Sequence, residues 1–262
     1  MNQLLVIGDS HGGSWGWWVH AHEELMNTHG FTIHCSHRGP LLMHTLAQQN
    51  VEIILPSGKT NMPWICGGAQ GCVNLPNKGR PLSGPPLQEL KRNDGIIWCF
   101  GEIDARCHIV KIAHQKQTTI ETIASEVAHN FIKFVERNDG AIRKVGVRTL
   151  IQSVRPAINV KGVPAGTTPN KNELSMFSTV GTPEERVRAT KQMNAIFSAE
   201  CGKRDWLFID LHDRCANDDG TMDDEPAHSD GCHYQNPAPF LEWFERNKWD
   251  RQELKENTKK EG

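Results

Sequence analysis

Short runs of branched apolar residues alternate along the chain with longer segments whose apolar residues recur every three or four positions. The short runs predict buried strands at residues 3–8, 31–36, 95–100, 145–153 and 206–211. The longer segments predict helices at residues 15–27, 40–50, 118–137, 182–201 and 238–246. The helix at 182–201 has a clear start, because Thr182 precedes Pro183 and two glutamates, a cap followed by a proline and an acidic first turn.

This alternation determines the predicted fold class. Parallel neighbouring strands need a crossover connection, and a helix of this length supplies one. We therefore predict an α/β fold, a three-layer α/β/α sandwich around a mainly parallel five-stranded sheet. A single domain accounts for residues 1–247, with long loops rich in Gly and Pro at about 56–86 and 155–181, and residues 248–262 form a charged C-terminal tail.

Composition and charge narrow the classes of function. The 262 residues carry 29 Lys and Arg against 31 Asp and Glu, a formal net charge of -2, which argues against a dedicated nucleic-acid binder or a polybasic membrane-surface protein. The longest apolar runs, residues 4–7 and 51–55, are far shorter than the ~20 residues of a membrane span, and the N-terminal sequence has no secretory pattern. We expect a cytoplasmic protein whose partner is a small molecule or a glycan, while its oligomeric state is open.

The cysteines and histidines raise the question of disulfides or a metal. The eight cysteines form no CxxC pair, and we expect them to be reduced thiols. Of the 13 histidines, His34 and His37 lie close to Cys35, but no second cluster has the spacing of a zinc site. We expect no structural metal and no cofactor.

Three polar blocks follow predicted strands or precede the last predicted helix. They are GDSH at residues 8–11, GEID at residues 101–104 and DGCH at residues 230–233. In a parallel sheet, loops and helix N-termini converge beyond the carboxyl ends of the strands, where ligands bind. We therefore expect all three blocks at that edge of the sheet.

Ser10, Asp230 and His233 are the residue types of a nucleophilic triad. A serine hydroxyl is a weak nucleophile that needs an imidazole base, and the imidazole needs an acceptor that orients it. Asp230 and His233 are three residues apart, so in a helical turn their side chains face the same side. Taken alone, GDS is typical of a turn and DxxH of a helix cap, but their joint order favours catalysis.

Together these blocks resemble the SGNH/GDSL hydrolase family over about residues 3–246. The resemblance implies a flavodoxin-like sheet, no metal and the hydrolysis of acyl esters. By motif, Ser10 matches the nucleophile, which also contributes its backbone N–H to the oxyanion hole. Asp230 and His233 match the acid and the base, and Gly39 is similar in position to the glycine of the oxyanion hole.

The GEID block departs from the usual family pattern. Most members have GxND, whose asparagine donates to the oxyanion, whereas Ile103 has no donor. Losing one such donor costs on the order of 10²–10³ in rate, so either a neighbour substitutes or the enzyme is slow. Arg106 and His108 are the candidate substitutes. The chain resembles more closely those members that have a GEID block, also at the helix start around residues 181–186.

Two further residues are candidates for contact with the substrate. His11 follows the nucleophile and either lines the pocket or begins the loop, and Trp64 lies within the first long loop. We predict a serine esterase acting on acyl esters, with O-acetyl groups on carbohydrate as the first substrate expected, because the polar loops suit short acyl chains. Two alternatives stay open: acyl transfer to a sugar by the same triad, and a non-catalytic glycan-binding domain.

Overall fold

A computed structural model describes residues 2–9, 31–37, 42, 43, 46, 91–162, 164, 179–223, 236 and 238–247. Outside these ranges lie the predicted helix at 15–27, most of the predicted helix at 40–50, the predicted loop at 56–86, part of the loop at 155–181 and the predicted tail at 248–262.

Five parallel strands form one sheet in the order β2-β1-β3-β4-β5. They are β1 (Asn2–Gly8), β2 (Phe31–His37), β3 (Gly95–Cys99), β4 (Arg148–Gln152) and β5 (Leu207–Ile209). Each matches a predicted run to within a few residues. Strand β4 begins later than predicted because Gly146, with a φ of 73°, belongs to the turn that precedes the strand.

The strands end in register at the carboxyl edge of the sheet. Gly8, the last residue of β1, pairs with His37 on one side and with Cys99 on the other. On the far side of β3, Gln152 of β4 pairs with Ile209 of β5. Because the ends are level, the residues that follow neighbouring strands lie beside one another.

Helices cover both faces of this sheet. A π-helical segment (Asp104–Ile109) continues into α1 (Val110–Gln115), and α2 (Ile120–Lys144), α3 (Pro183–Arg204) and α4 (Ala238–Arg246) follow. Helix α3 begins as predicted with a capping box. Thr182 Oγ1 accepts the backbone N–H of Glu185 (3.2 Å), and Glu185 Oε2 accepts the backbone N–H of Thr182 (2.8 Å).

Helix α2 is longer than its sequence pattern predicts. It continues beyond residue 137 through a segment of residues that favour turns, to end at Lys144. Asn138 Nδ2 donates to the carbonyl of Phe134 (3.0 Å), and the Asp139 carboxylate accepts the hydroxyl of Thr149 on β4 (2.7 Å). Because these contacts provide hydrogen-bond partners for the two polar side chains, the helix continues through them.

The sequence pattern predicted no element for the segment from Asp104 to Gln115, which is helical in the structure. A π-helix has more residues in each turn than an α-helix, so its buried positions do not follow the 3.6-residue period by which helices are recognised in a sequence.

Alternate residues of the strands enter two apolar cores on opposite faces of the sheet. Leu5 and Ile7 of β1 and Trp98 of β3 pack with α1, α2 and α3. Leu4 and Val6 of β1 pack in the second core, to which α4 contributes its apolar side. The predicted α/β/α sandwich is confirmed. In the described parts of the chain, no helix combines the length and apolar character that crossing a membrane requires.

Candidate active site

The GDSH block begins at the carboxyl end of β1, an interior strand of the sheet. Gly8 ends the strand, and Asp9 after it is fully buried. The backbone N–H of Asp9 donates to the carbonyl of Cys99, the last residue of β3 (3.3 Å). The chain therefore leaves β1 directly beside the strand that leads into the GEID block.

Most of the predicted site residues lie outside the described ranges. They are Ser10, His11, Gly39, Trp64, Asp230 and His233. Arg106 and His108 are described, and both lie on the π-helical segment. Helix α4, which follows the DGCH block in the chain, packs in the same core as one face of β1.

Gly101 turns the chain sharply after β3. Its φ is 108°, in the region that favours glycine. A Cβ at this position would lie 2.9 Å from Cε of Met193 on α3 and 2.9 Å from Cγ2 of Val154 after β4. The carbonyl of Gly101 then accepts the N–H of Ala105 (2.9 Å), an α-helical bond that leads into the π-helical segment. Only a glycine allows the chain to turn this closely against α3 and β4.

The side chains of the three residues after Gly101 pack and form contacts at the carboxyl edge of the sheet. Glu102 Oε1 accepts from Arg106 Nε (2.5 Å), an ion pair one turn along the segment. Ile103 is 2% exposed, so an apolar side chain without a donor is buried at this position. The Asp104 carboxylate accepts the backbone N–H of Met43 (2.8 Å), which connects the end of β3 to the segment that follows β2. Both acidic residues of the block therefore have structural partners.

The π-helical segment presents the two described candidates for binding residues. π-helices are rare and often occur at functional sites. Arg106 is partly buried, and its carbonyl accepts the backbone N–H of Val180 (2.9 Å). His108 is partly buried as well. Cys107 lies between these two residues in the chain. Burial raises the pKa of its thiol to about 12, although the positive charge of Arg106 acts to lower it, so this cysteine is not a nucleophile at neutral pH.

A small cavity lies at this edge, between the segments after β3 and β4 and the first turns of α3. It has room for about one water molecule. Three arginines line it, Arg106, Arg155 and Arg186, together with Glu102. Sequence reasoning identified only Arg106 among them. Arg155 precedes Pro156, and the sequence indicated only the end of a strand there. Arg186 lies in the first turn of α3, where the sequence indicated only a helix. The position of Arg155 just after a predicted strand was the available signal.

No family model and no curated protein matches this sequence. Among solved structures, the chain is similar to a GDSL-like lipase from Bacteroides thetaiotaomicron, at 9% identity and a TM-score of 0.45, over 95% of this chain and 88% of that chain. It is also similar to a psychrotrophic esterase from a Pseudoalteromonas species, at 9% identity and a TM-score of 0.46, over 96% of this chain and 100% of that chain. An acetyl xylan esterase has 12% identity and a TM-score of 0.46, over 94% of this chain and 98% of that chain.

Proposed function

We propose that this chain is a serine esterase of the SGNH/GDSL type that hydrolyses acyl esters through Ser10, His233 and Asp230. The observation that carries the proposal is the position of the GDSH block. It begins at the carboxyl end of β1, between the ends of β2 and β3. In parallel sheets, ligands bind outside this edge. The DGCH block supports the same reading, because it precedes α4, which packs in one of the two cores that β1 enters.

In this mechanism, His233 accepts the proton of the Ser10 hydroxyl as Oγ attacks the ester carbonyl carbon. Asp230 orients the imidazole and stabilises its charged form. The tetrahedral intermediate collapses, and the alcohol leaves with the proton from His233, so that the acyl group stays on Ser10. Water then loses a proton to His233 and attacks the acyl-enzyme, which releases the carboxylic acid and restores the serine hydroxyl.

The oxyanion of the intermediate would accept the backbone N–H groups of Ser10 and Gly39. The GEID block adds no side-chain donor at position 103, because Ile103 is apolar and buried. Absence of one donor lowers the rate by on the order of 10²–10³. We therefore expect slow turnover of simple esters unless Arg106 or His108 donates in place of the missing side chain.

We expect a short acyl group, with acetyl esters of carbohydrate as the first substrates to test. The predicted loop at 56–86 is rich in Gly, Pro, Asn and Ser, and a polar loop suits a polar alcohol better than a long acyl chain. Hydrolysis of p-nitrophenyl acetate, measured with and without an added alcohol acceptor, separates hydrolysis from acyl transfer.

Covalent labelling by a fluorophosphonate tests the proposal directly. The wild type should be labelled and Ser10→Ala should not, whereas Ser14→Ala, a matched change four residues along the chain, should be labelled normally. His233→Ala should lose turnover while keeping its thermal unfolding midpoint. A folded wild type that does not react would overturn the esterase proposal and favour a glycan-binding domain.

A further inference from the structure

Arg186 ties together the two ends of the segment that connects β4 to α3. Its Nη1 donates to the carbonyls of Val180 (3.1 Å) and Gly181 (2.9 Å), just before α3 begins. Its Nη2 donates to the carbonyls of Ile158 (3.1 Å) and Val160, which lie near the start of the segment. A guanidinium group has five N–H donors. The four carbonyls provide acceptors for four of them, and the fifth donor is the Nε–H.

The Nε–H of Arg186 is buried and has no acceptor within the described part of the chain. The residue as a whole is 1% exposed, so bulk solvent does not reach this donor. A buried donor without an acceptor has lost its hydration and gained no hydrogen bond in exchange, and such groups are rare in proteins. An acceptor is therefore expected beside Nε.

Thr190 adds a second unpaired polar atom. It lies four residues after Arg186 on α3, so the two side chains share a face of the helix. Thr190 is 1% exposed, and its Oγ1 has no hydrogen-bond partner in the same described ranges. A threonine hydroxyl in a helix can donate to the carbonyl four residues earlier, but this one does not. Both residues line the small cavity beside the GEID block.

The cavity suits one small molecule that both accepts and donates hydrogen bonds. It has room for about one water molecule. Its wall also includes Glu102, whose carboxylate has acceptor sites besides the one used by Arg106. A buried water typically makes about three hydrogen bonds, and Arg186, Thr190 and Glu102 offer that number of partners. A halide ion would also accept from Arg186, but the carboxylate of Glu102 would repel it.

We propose that this cavity binds a single ordered water molecule, which accepts the Nε–H of Arg186 and forms a hydrogen bond with the Thr190 hydroxyl. The water completes the hydrogen bonds of the guanidinium that ties residues 158–160 to residues 180–181. It also connects the first turns of α3 to Glu102 of the GEID block, at the carboxyl edge of the sheet. The water is a part of the folded structure and takes no part in catalysis, so the proposal is independent of the esterase function.

A crystal structure of the full chain tests the site directly. Density for one water should lie at a hydrogen-bond distance, about 2.7–3.2 Å, from both Arg186 Nε and Thr190 Oγ1. Crystals soaked in bromide should show no anomalous scattering at this position. An empty cavity, a halide peak, or a Thr190 hydroxyl bonded to the carbonyl of Arg186 would each overturn the proposal.

Thr190→Val distinguishes a hydrated cavity from a dry one by the sign of its effect. Valine keeps the shape of threonine and removes the hydroxyl. With the water present, the change removes a hydrogen bond and should lower the equilibrium constant for folding by about fivefold, as measured by urea unfolding. In a dry cavity, the same change removes an unpaired buried hydroxyl and should raise that constant. Unchanged or increased stability therefore contradicts the proposal.

Thr149→Val is the matched control. Thr149 is also buried, and its hydroxyl donates directly to the Asp139 carboxylate (2.7 Å). Its replacement should destabilise the protein, and Thr190→Val should change the stability in the same direction. Thr190→Ser retains the hydroxyl, so its crystal structure should keep the water in place. Loss of the water from Thr190→Ser but not from Thr190→Val would refute the role given to the hydroxyl.

NMR tests for the same water in solution. In isotope-labelled protein, the Nε–H of Arg186 should show cross-relaxation with a long-lived water, because most residues that line the cavity are buried. Arg188, also on α3, is the control, since it is exposed and its Nε pairs with Glu121 Oε1 (2.7 Å). It should show no long-lived water. Cross-relaxation of this kind at neither arginine, or at Arg188 alone, would show that the cavity is dry.

Discussion

Replacing Gly101 with alanine should destabilise the protein by about 2–6 kcal/mol, the sum of two effects. A residue with a side chain at a φ of 108° carries backbone strain of about 1–3 kcal/mol. The new methyl group would also lie 2.9 Å from Cγ2 of Val154, and overpacking of this kind costs about 1–3 kcal/mol. Met193 approaches as closely (2.9 Å) and Met43 slightly less so (3.2 Å), but both only through the ends of flexible side chains.

Urea unfolding followed by circular dichroism measures this change. Gly140→Ala in α2 and Gly202→Ala in α3 are matched controls, because a Cβ at either position meets no atom within 4 Å. Both should stabilise the protein, by about 0.5–1 kcal/mol, since alanine is the better helix former. The same substitution should therefore have opposite signs at the turn and in the helices.

A double variant separates the two effects at Gly101. Adding Val154→Ala removes the close contact but not the positive φ, so the penalty for Gly101→Ala should shrink and not vanish in that background. If Gly101→Ala proves as stable as Gly140→Ala, the chain adopts another conformation after β3 and the reasoning fails.

Three other changes follow from the described contacts. Thr182→Ala removes one side of the capping box of α3 and should lower the free energy of unfolding by about 0.5–2 kcal/mol in urea. Asp104→Ala leaves the buried N–H of Met43 without its acceptor and should cost about 1–3 kcal/mol by the same assay, whereas an unchanged midpoint would contradict that role. Burial raises the pKa of the Cys107 and Cys201 thiols to about 12 from 9.0, so both should resist iodoacetamide at pH 8 unless the protein is unfolded, as peptide mapping would show. Because only the unfolded thiols ionise between those values, stability should fall above pH 9.0, by at most about 1.4 kcal/mol per pH unit for each thiol.

The sequence by itself determined the five strands, three of the described helices and the fold class. These predictions depend on residues within a few positions of one another in the chain. Examples are the apolar runs of the strands, the Thr182 cap and the bounds of α4, which can be recognised without knowledge of the fold. The parallel arrangement followed from the crossover helices. The three chemical blocks were also recognisable, because each is contiguous in the chain. The residues of the proposed triad lie outside the described ranges, so their assignment stays a prediction.

Only the tertiary structure decided what lies beside those blocks. Helix α2 continues past its local stop signal because β4 supplies Thr149 as a partner for Asp139. The cavity unites arginines from positions 106, 155 and 186, which follow β3, follow β4 and begin α3. No periodicity relates residues so far apart in the chain. These three arginines come together because of the order of the strands and because the strands end level with one another. Both features arise from the packing of all the elements together, so no local pattern predicts them.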